Sequence, residues 1–333
     1  MPSDLIVPVS TILNVRAHPN ADKLEIAEIL GWQTVLPKGQ FTSGQRVVYF
    51  PPDSVMPVEL SDKLGVTKYL SKGRVRCARL RGEPSFGFVI AAPEQFELGQ
   101  NVAGEYGITK YVPPLRTFEG DAEPSHVLFE SYTDIQNLRH FPTLLLDNEE
   151  VIVTEKIHGA NGRIGRVDQV VLAGSHSIQR KRPSDAEMPQ HTYWYPYLVS
   201  GVAQLLDDSK GVVILYGEIY GRMQSLHYGM EGLLAFAAFD LMLDGVYVDY
   251  DRFVELMDKY GIPRVPEVWR GPYSLAKIAE LSKGKTLMSD NHTREGVVVK
   301  PTRERRDPKI GRMVLKYLSD DYLLGNHSDF ADV

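Results

Sequence analysis

Residues 112–125, VPPLRTFEGDAEPS, divide this chain more sharply than any other stretch. Three prolines and several charges leave it without helical or strand periodicity, because proline fixes its φ angle and lacks an amide hydrogen. In a chain of 333 residues such a break predicts two domains, over 1–112 and 126–333, joined by a linker at 113–125. Before the break, short apolar runs suggest strands at Val7 to Val15, Glu25 to Leu30, Gln45 to Phe50, Arg74 to Leu80 and Phe86 to Ile90. Glycines punctuate them, as in a small β-barrel or sandwich. After the break, strands near 151–156, 163–167, 212–218, 234–240 and 296–300 alternate with helix-like spans at 195–206 and 250–260. That mixture predicts an α+β fold.

Composition narrows the class. An apolar share of 43 % is that of a globular protein. No stretch is long and apolar enough to cross a bilayer, and MPSDLIVPVS has no secretory signal pattern. Cys77 is the only cysteine, which excludes a disulfide framework and points to the reducing cytoplasm. A net charge of −6 argues against a protein that coats nucleic acid non-specifically, since phosphate binding needs an excess of cations. Two local cationic stretches remain. One, at 68–82, holds Lys68, Lys72, Arg74, Arg76, Arg79 and Arg81; the other, at 301–312, holds Arg303, Arg305, Arg306, Lys309 and Arg312. Either one alone is also explained by a solvated strand face.

The segment VIVTEKIHGANGRIGRV, residues 151–167, carries the sharpest local signal. Val151 to Thr154 are β-branched and predict a strand. It ends in Glu155 and Lys156, and Gly-Ala-Asn-Gly then predicts a tight turn into a second strand. A lysine at a strand end is ordinarily a solvated edge charge. As a nucleophile it would need help, because a free lysine, with a pKa of about 10.4, is almost fully protonated at neutral pH. A suitable target is an α-phosphate that loses pyrophosphate, a reaction that also needs fixed cations and carboxylates that can hold a divalent metal. Downstream segments supply such groups in order: Glu218 in VVILYGEIYG, Phe236, Phe239 and Asp240 in LLAFAAFDLML, Glu295 and Lys300 in REGVVVKP, and Lys316 in MVLKYLSDDY. Each has a bland explanation by itself; the ordered set is the signal.

TEKIHGAN resembles motif I of the covalent nucleotidyltransferases, in the form found in nick-sealing RNA ligases. YGEIYG resembles motif III, AFDL motif IIIa, REGVVVKP motif IV and VLKY motif V, and together they cover most of residues 128–325. RAHPNADKLEIAEILGW resembles the opening of an OB-fold tRNA-binding module. The combination is similar to the fifth RNA ligase family. The resemblance implies an OB-like β-barrel followed by an adenylyltransferase domain of the ATP-grasp-like DNA/RNA ligase type.

The resemblance also implies roles. Lys156 would attack the α-phosphate of ATP and carry AMP as a phosphoramidate. The AMP would pass to a 5′-phosphate end, and a 3′-hydroxyl would expel it. Glu155, Ile157, His158, Gly159 and Asn161 would frame the nucleotide. Histidine at 158, where DNA ligases and capping enzymes usually carry aspartate, favours RNA. Glu218 would lie near the ribose or a metal-bound water, and Glu295 would orient metal waters, with Mg²⁺ and Mn²⁺ both open. Phe239 would stack on adenine, with Phe236 as the alternative. Lys316 would contact the α-phosphate. A second motif V cation is replaced by Leu318, leaving Lys300 or Arg312 to substitute. Motif Ia falls within GSHSIQRKR, where Ser175, Arg180 or Lys181 could meet a phosphate.

The same resemblance separates neighbours. DNA ligases and capping enzymes place an OB domain after motif V, whereas only Tyr317 to Val333 follow Lys316. The OB module in front would offer a nucleic-acid surface built from the 68–81 cations, with Tyr69, Phe86 and Phe88 as stacking candidates. The expected partner is RNA or an RNA-containing duplex; no membrane is expected and no protein partner is legible. The alternatives are a non-catalytic RNA- or tRNA-binding OB protein and a DNA ligase.

Overall fold

The computed structural model describes residues 4–112, 119–222, 224–290 and 292–325. The start of the expected linker, 113–118, and the chain after 325 lie outside the described residues. The described residues form two units: one comprises 4–112, 137–141 and 320–325, the other 119–136 and 142–319.

In the first unit, short apolar runs become short strands. β1 (Val9–Thr11) pairs with β5 (Arg46–Phe50), which pairs with β8 (Phe88–Ala91). β2 (Asn14–Ala17), β3 (Leu24–Ile29) and β4 (Trp32–Pro37) form a second antiparallel sheet. β6 (Cys77–Leu80) and β7 (Glu83–Phe86) form a hairpin. Side chains link the sheets: Val35 N donates to Ser85 Oγ at 3.0 Å, and Thr34 Oγ1 to Gly87 O at 2.9 Å. Val9, Val48, Phe50, Val75 and Val102 make the core. The expected strand Val7–Val15 is therefore two strands in different sheets. The segment expected as one strand at Phe86–Ile90 also divides, between β7 and β8. Residues 137–141 and 320–325 complete the unit through Arg139, which lies 3.9 Å over the Trp32 ring and 2.7 Å from Asp320.

The second unit holds a five-stranded and a seven-stranded sheet. In the five-stranded sheet, β9 (Glu150–Lys156) lies between β14 (Glu267–Pro272) and β15 (Gly296–Pro301), and β15 pairs in turn with β16 (Leu315–Leu318). The centre of the seven-stranded sheet runs β11 (Val170–Ser175), β10 (Ala160–Val167), β12 (Val213–Gly221), β13 (Leu234–Leu243). The tight turn expected at Gly159–Gly162 is not formed: Ala160, Asn161 and Gly162 already pair within β10, only Ile157–Gly159 lie between β9 and β10, and the two strands belong to different sheets. Lys156 thus sits where the chain steps from one sheet to the other. Ala122–Glu123, inside the expected linker, pairs with Gln179–Arg180 at the edge of the seven-stranded sheet.

β12 and β13 are buried on both faces, which is why their sequences run almost continuously apolar. Leu215, Ile219, Phe236 and Ala238 pack with Trp194 and with helices α1 (Val202–Asp208) and α2 (Tyr250–Tyr260). Ile214, Tyr216 and Met242 pack on the other face with Phe129 and Tyr132. Each fully buried side chain of this size contributes about 1.5–3 kcal/mol. The expected helix at 195–206 is broken: Tyr195–Leu198 is a 3₁₀ turn, Gly201 is left-handed with φ 82°, and only then does α1 begin. Among the described residues no helix is long and apolar enough to cross a membrane.

Candidate active site

A bulge and a close approach shape the site. Tyr216 pairs with Asp240 but Gly217 pairs with Ala238, so Phe239 has no partner on β12. A bulged residue is re-aimed out of the ladder, and Phe239 lines a cavity of about 200 Å³. Phe236 instead lies in the core, its ring so near Gly217 that a Cβ there would stand 2.3 Å from it. Of the two candidate stacking residues, Phe239 is the one beside the cavity, held edge-on by Tyr132 at 4.8 Å.

Lys156 ends β9 opposite Gly296, which brings it next to Glu295. Its Nζ lies 2.9 Å from Glu295 Oε1, and its side chain keeps 26 % of its surface exposed. Burial opposes the lysine's charge, but Glu295 and then Glu218 outweigh that effect and raise its pKa. Glu218 faces Asn161 across β10 and β12. Burial, opposed by Lys156 and assisted by repulsion from Glu295, pushes its pKa up to about 7. A half-buried acid, Glu218, and a buried one, Glu295, thus border one lysine. Glu295 Oε2 and Asn161 Oδ1 are buried without a hydrogen-bond partner among the described residues. His158 Nδ1 stands 3.9 Å from Glu295 Oε2.

Lys156, Ile157, Asn161, Glu218, Phe239, Lys300 and Lys316 all line the cavity, so residues spread over 160 positions of sequence meet there. Glu155 also borders it, but its carboxylate accepts from Thr286 Oγ1 and from Leu287 N at 2.7 Å. Gly159 lies behind the cavity, packed so closely on β12 that a Cβ would stand 2.3 Å from Ile219 O. Lys300 reaches the cavity while bound to Asp240 at 3.1 Å, and Arg312 holds the other oxygen of Asp240 at 2.6 Å without bordering the cavity. Neither is therefore a cation without a counter-charge.

The motif Ia candidates lie elsewhere. Ser175 Oγ accepts from Ile178 N in a local turn, Arg180 pairs with Asp121, and Lys181 is exposed. The residue of that segment that does line the cavity is His176, 3.5 Å from Asp134, with its pKa lowered by burial. Tyr132 and Thr133 line it too. Sequence reasoning missed all three. The histidine inside GSHSIQRKR was the one available signal, and SYTDI offered only an aromatic next to polar residues.

No three His, Cys, Asp or Glu side chains are grouped to hold a bare metal ion among the described residues. Glu218 and Glu295 with one unpartnered oxygen instead suit a hydrated divalent cation, held through its waters.

In the first unit, Lys68, Lys72, Arg79 and Arg81 are exposed, as is Tyr69 at 69 %. Arg76 is half-buried. Arg74 is buried, pairs with Asp53 and lies 3.7 Å over the Tyr111 ring. Phe86 is in the core against Trp32, and Phe88 stacks on Phe50 at 4.8 Å.

Comparison with known proteins follows this division. An RNA ligase family model matches residues 149–318, and an OB-fold domain model matches residues 6–92. No curated protein sequence matches the chain. Solved structures do. A Naegleria gruberi RNA ligase mutant in apo form is 22 % identical with a TM-score of 0.77, covering 95 % of this chain and 97 % of that one. A Naegleria gruberi RNA ligase mutant with AMP and Mn is 22 % identical with a TM-score of 0.75, at the same coverage. The Naegleria gruberi RNA ligase with PPi is 22 % identical with a TM-score of 0.74, again at 95 % and 97 %. At this identity the likeness establishes the fold. The family match spans Lys156, Glu218, Phe239, Glu295 and Lys316, and the chain belongs to the RNA ligase family, with an OB-fold module ahead of its ligase domain.

Proposed function

We propose that this protein is an ATP-dependent RNA ligase that joins 3′-hydroxyl and 5′-phosphate ends through a lysyl-AMP intermediate on Lys156. The observation that carries the proposal is the lysine at the junction of two sheets, flanked by the carboxylates of Glu218 and Glu295 and facing an aromatic side chain and a second lysine in one cavity. The Lys156 nitrogen attacks the α-phosphorus of ATP, forming a P–N bond as the bond to pyrophosphate breaks. A 5′-phosphate oxygen then attacks the same phosphorus and releases the lysine. Last, a 3′-hydroxyl oxygen attacks the activated 5′-phosphorus and AMP leaves.

In this reading each group has a part. Phe239 offers a flat π-face to adenine. Lys316 offers positive charge to the α-phosphate, where charge builds in the transition state. As long as Glu295 pairs with Lys156, the amine stays protonated and cannot attack; drawing Glu295 away lets the proton leave. Glu218 and Glu295 would hold a divalent metal, Mg²⁺ or Mn²⁺, through its waters, and the metal supplies positive charge to the phosphoryl oxygens. The ATP, AMP, Mn and PPi named for structures of the Naegleria gruberi ligase support this reading.

In the first unit, exposed Lys68, Lys72, Arg79 and Arg81 provide an electrostatic surface for the polynucleotide. The buried free thiol of Cys77 accords with a cytoplasmic protein.

The expected substrate is a nick in a duplex whose 3′-hydroxyl strand is RNA. A site that hydrogen-bonds the 2′-hydroxyl leaves a buried group unpaired when that hydroxyl is missing, at a cost of roughly 1–3 kcal/mol, or about 5- to 150-fold. Matched nicks differing only in the sugars at the break test this. Sealing should fall at least about tenfold with deoxynucleotides on the 3′-hydroxyl side and change little with them on the 5′-phosphate side. Equal rates across the set would remove the RNA preference.

A further inference from the structure

The link that follows the nucleophile, Ile157–Gly159, joins β9 to β10 and is held by hydrogen bonds from outside those two strands. Two of its polar groups are taken by the segment that follows β12, and a third by Glu218 of β12 itself. His158 N donates to Tyr228 Oη at 2.7 Å, Gly159 O accepts from Gln224 Nε2 at 3.3 Å, and Gly159 N donates to the Glu218 carboxylate. Tyr228 is buried and does not line the cavity. Its backbone is left-handed at φ 51°, an uncommon conformation for a bulky residue, and Gly229 follows at φ 76°. Its ring meets the His292 ring edge-on at 4.5 Å and the Tyr220 ring at 5.6 Å. Tyr228 therefore touches the link after Lys156 through its hydroxyl, and through its ring the segment that leads into Glu295.

We propose that Tyr228 is a positioning residue for lysine adenylation: it fixes the Lys156–Gly159 link relative to Glu295, with Gln224 as its assistant. The proposal rests on the ligase reading of Lys156. The alternative is a purely structural tyrosine whose loss lowers stability without touching the reaction. Hydroxyl and ring have separable tasks. Tyr228→Phe keeps the ring contacts and leaves the His158 amide without its partner, freeing the link to shift. Misplacing a nucleophile slows attack, whereas the nucleotide contacts in the cavity are unchanged.

The test compares wild type with Tyr228→Phe in the full-length protein. Single-turnover adenylation with ATP and Mg²⁺ or Mn²⁺ is measured, together with amide hydrogen exchange of residues 157–160. The rate per folded molecule should fall roughly 5- to 100-fold, and the ATP concentration for half-maximal rate should stay within about twofold. The His158 amide should exchange faster. An unchanged amide exchange rate overturns the proposal, and so does a lowered melting temperature with an unchanged rate per folded molecule. If Tyr228→Phe does not fold, Gln224→Met takes its place: faster exchange in the link with slower adenylation supports the proposal, and no change in both overturns it. Because amide exchange does not depend on catalysis, a wild-type protein that fails to adenylate Lys156 would overturn the ligase reading while leaving the positioning contact measurable.

Discussion

Two buried clusters in the ligase unit use the same kinds of side chain to opposite ends. Around Asp240, both carboxylate oxygens are matched: Oδ1 meets Lys300 at 3.1 Å, and Oδ2 meets Arg312 at 2.6 Å and the Tyr132 hydroxyl at 2.8 Å. Arg312 also holds Glu304 and stacks 3.6 Å over the Tyr247 ring. Around Lys156, two acids share one lysine, Glu295 Oε2 has no hydrogen-bond partner among the described residues, and the lysine keeps a quarter of its surface exposed. The Asp240 carboxyl is pulled below its ordinary pKa by Arg312 and Lys300 in spite of burial, while Glu218 is pushed up to about 7. A closed network fixes structure. An open one, with an unmatched charge, is where a substrate or a metal-bound water finds a place.

The largest expected effect of breaking this contrast is on stability at Asp240. Asp240→Asn leaves Lys300 without its buried counter-charge and Arg312 with Glu304 alone, a loss of about 3–5 kcal/mol. For a unit of this size the melting temperature should drop by on the order of 10 °C, as read by calorimetry. A change of a degree or two would mean that the network is not closed. Glu295→Gln should do the reverse. Its partner is partly solvated, so melting should move little, while adenylation falls about 100-fold or more for want of the acid proposed to orient the metal waters. A large loss of stability with intact adenylation would reverse the roles assigned to the two clusters.

The smallest effect is a pH slope, and it sharpens the comparison by its sign. Glu218 has a raised folded pKa, so between about pH 4.5 and 7 the native state keeps a proton that the unfolded chain has lost. Stability from this group therefore declines as pH rises through that window. Asp240 has a lowered folded pKa, so its stabilisation is present above the ordinary aspartate range and is lost only as pH falls through the folded value. Denaturant melts from pH 4.5 to 8 should show Glu218→Gln gaining stability relative to wild type as pH rises. A difference that stays constant with pH would mean that Glu218 is not held in a raised state.

Much of this was readable before any coordinates, and the rest was unreadable for physical reasons. Lys156, Glu218, Glu295 and Lys316 stand out in sequence because each interrupts or ends an apolar run, a pattern that local chemistry makes visible. The α+β character and the strands of the ligase unit follow from β-branched runs. What sequence hides is pairing across distance. Arg74 resembles its exposed neighbours Arg79 and Arg81 until Asp53 and Tyr111 enclose it. Lys300 and Arg312 look like spare cations until Asp240 claims both. His176 reaches the cavity only because β11 brings the turn after Ser175 to it. β4 was missed because WQTVLP is brief and ends in proline, yet it pairs along its whole length with β3. Pro196 and Gly201 divide the span expected as one helix into a 3₁₀ turn and α1.

The central claim is that Lys156 carries AMP. Incubation of the protein with labelled ATP and a divalent metal, followed by proteolysis and mass analysis of the modified peptide, tests it directly. AMP should be found on the peptide containing Lys156, through an acid-labile bond, and Lys156→Arg should carry none, since arginine keeps the charge but offers no unprotonated amine. AMP on another residue, or undiminished labelling of Lys156→Arg, would contradict the account.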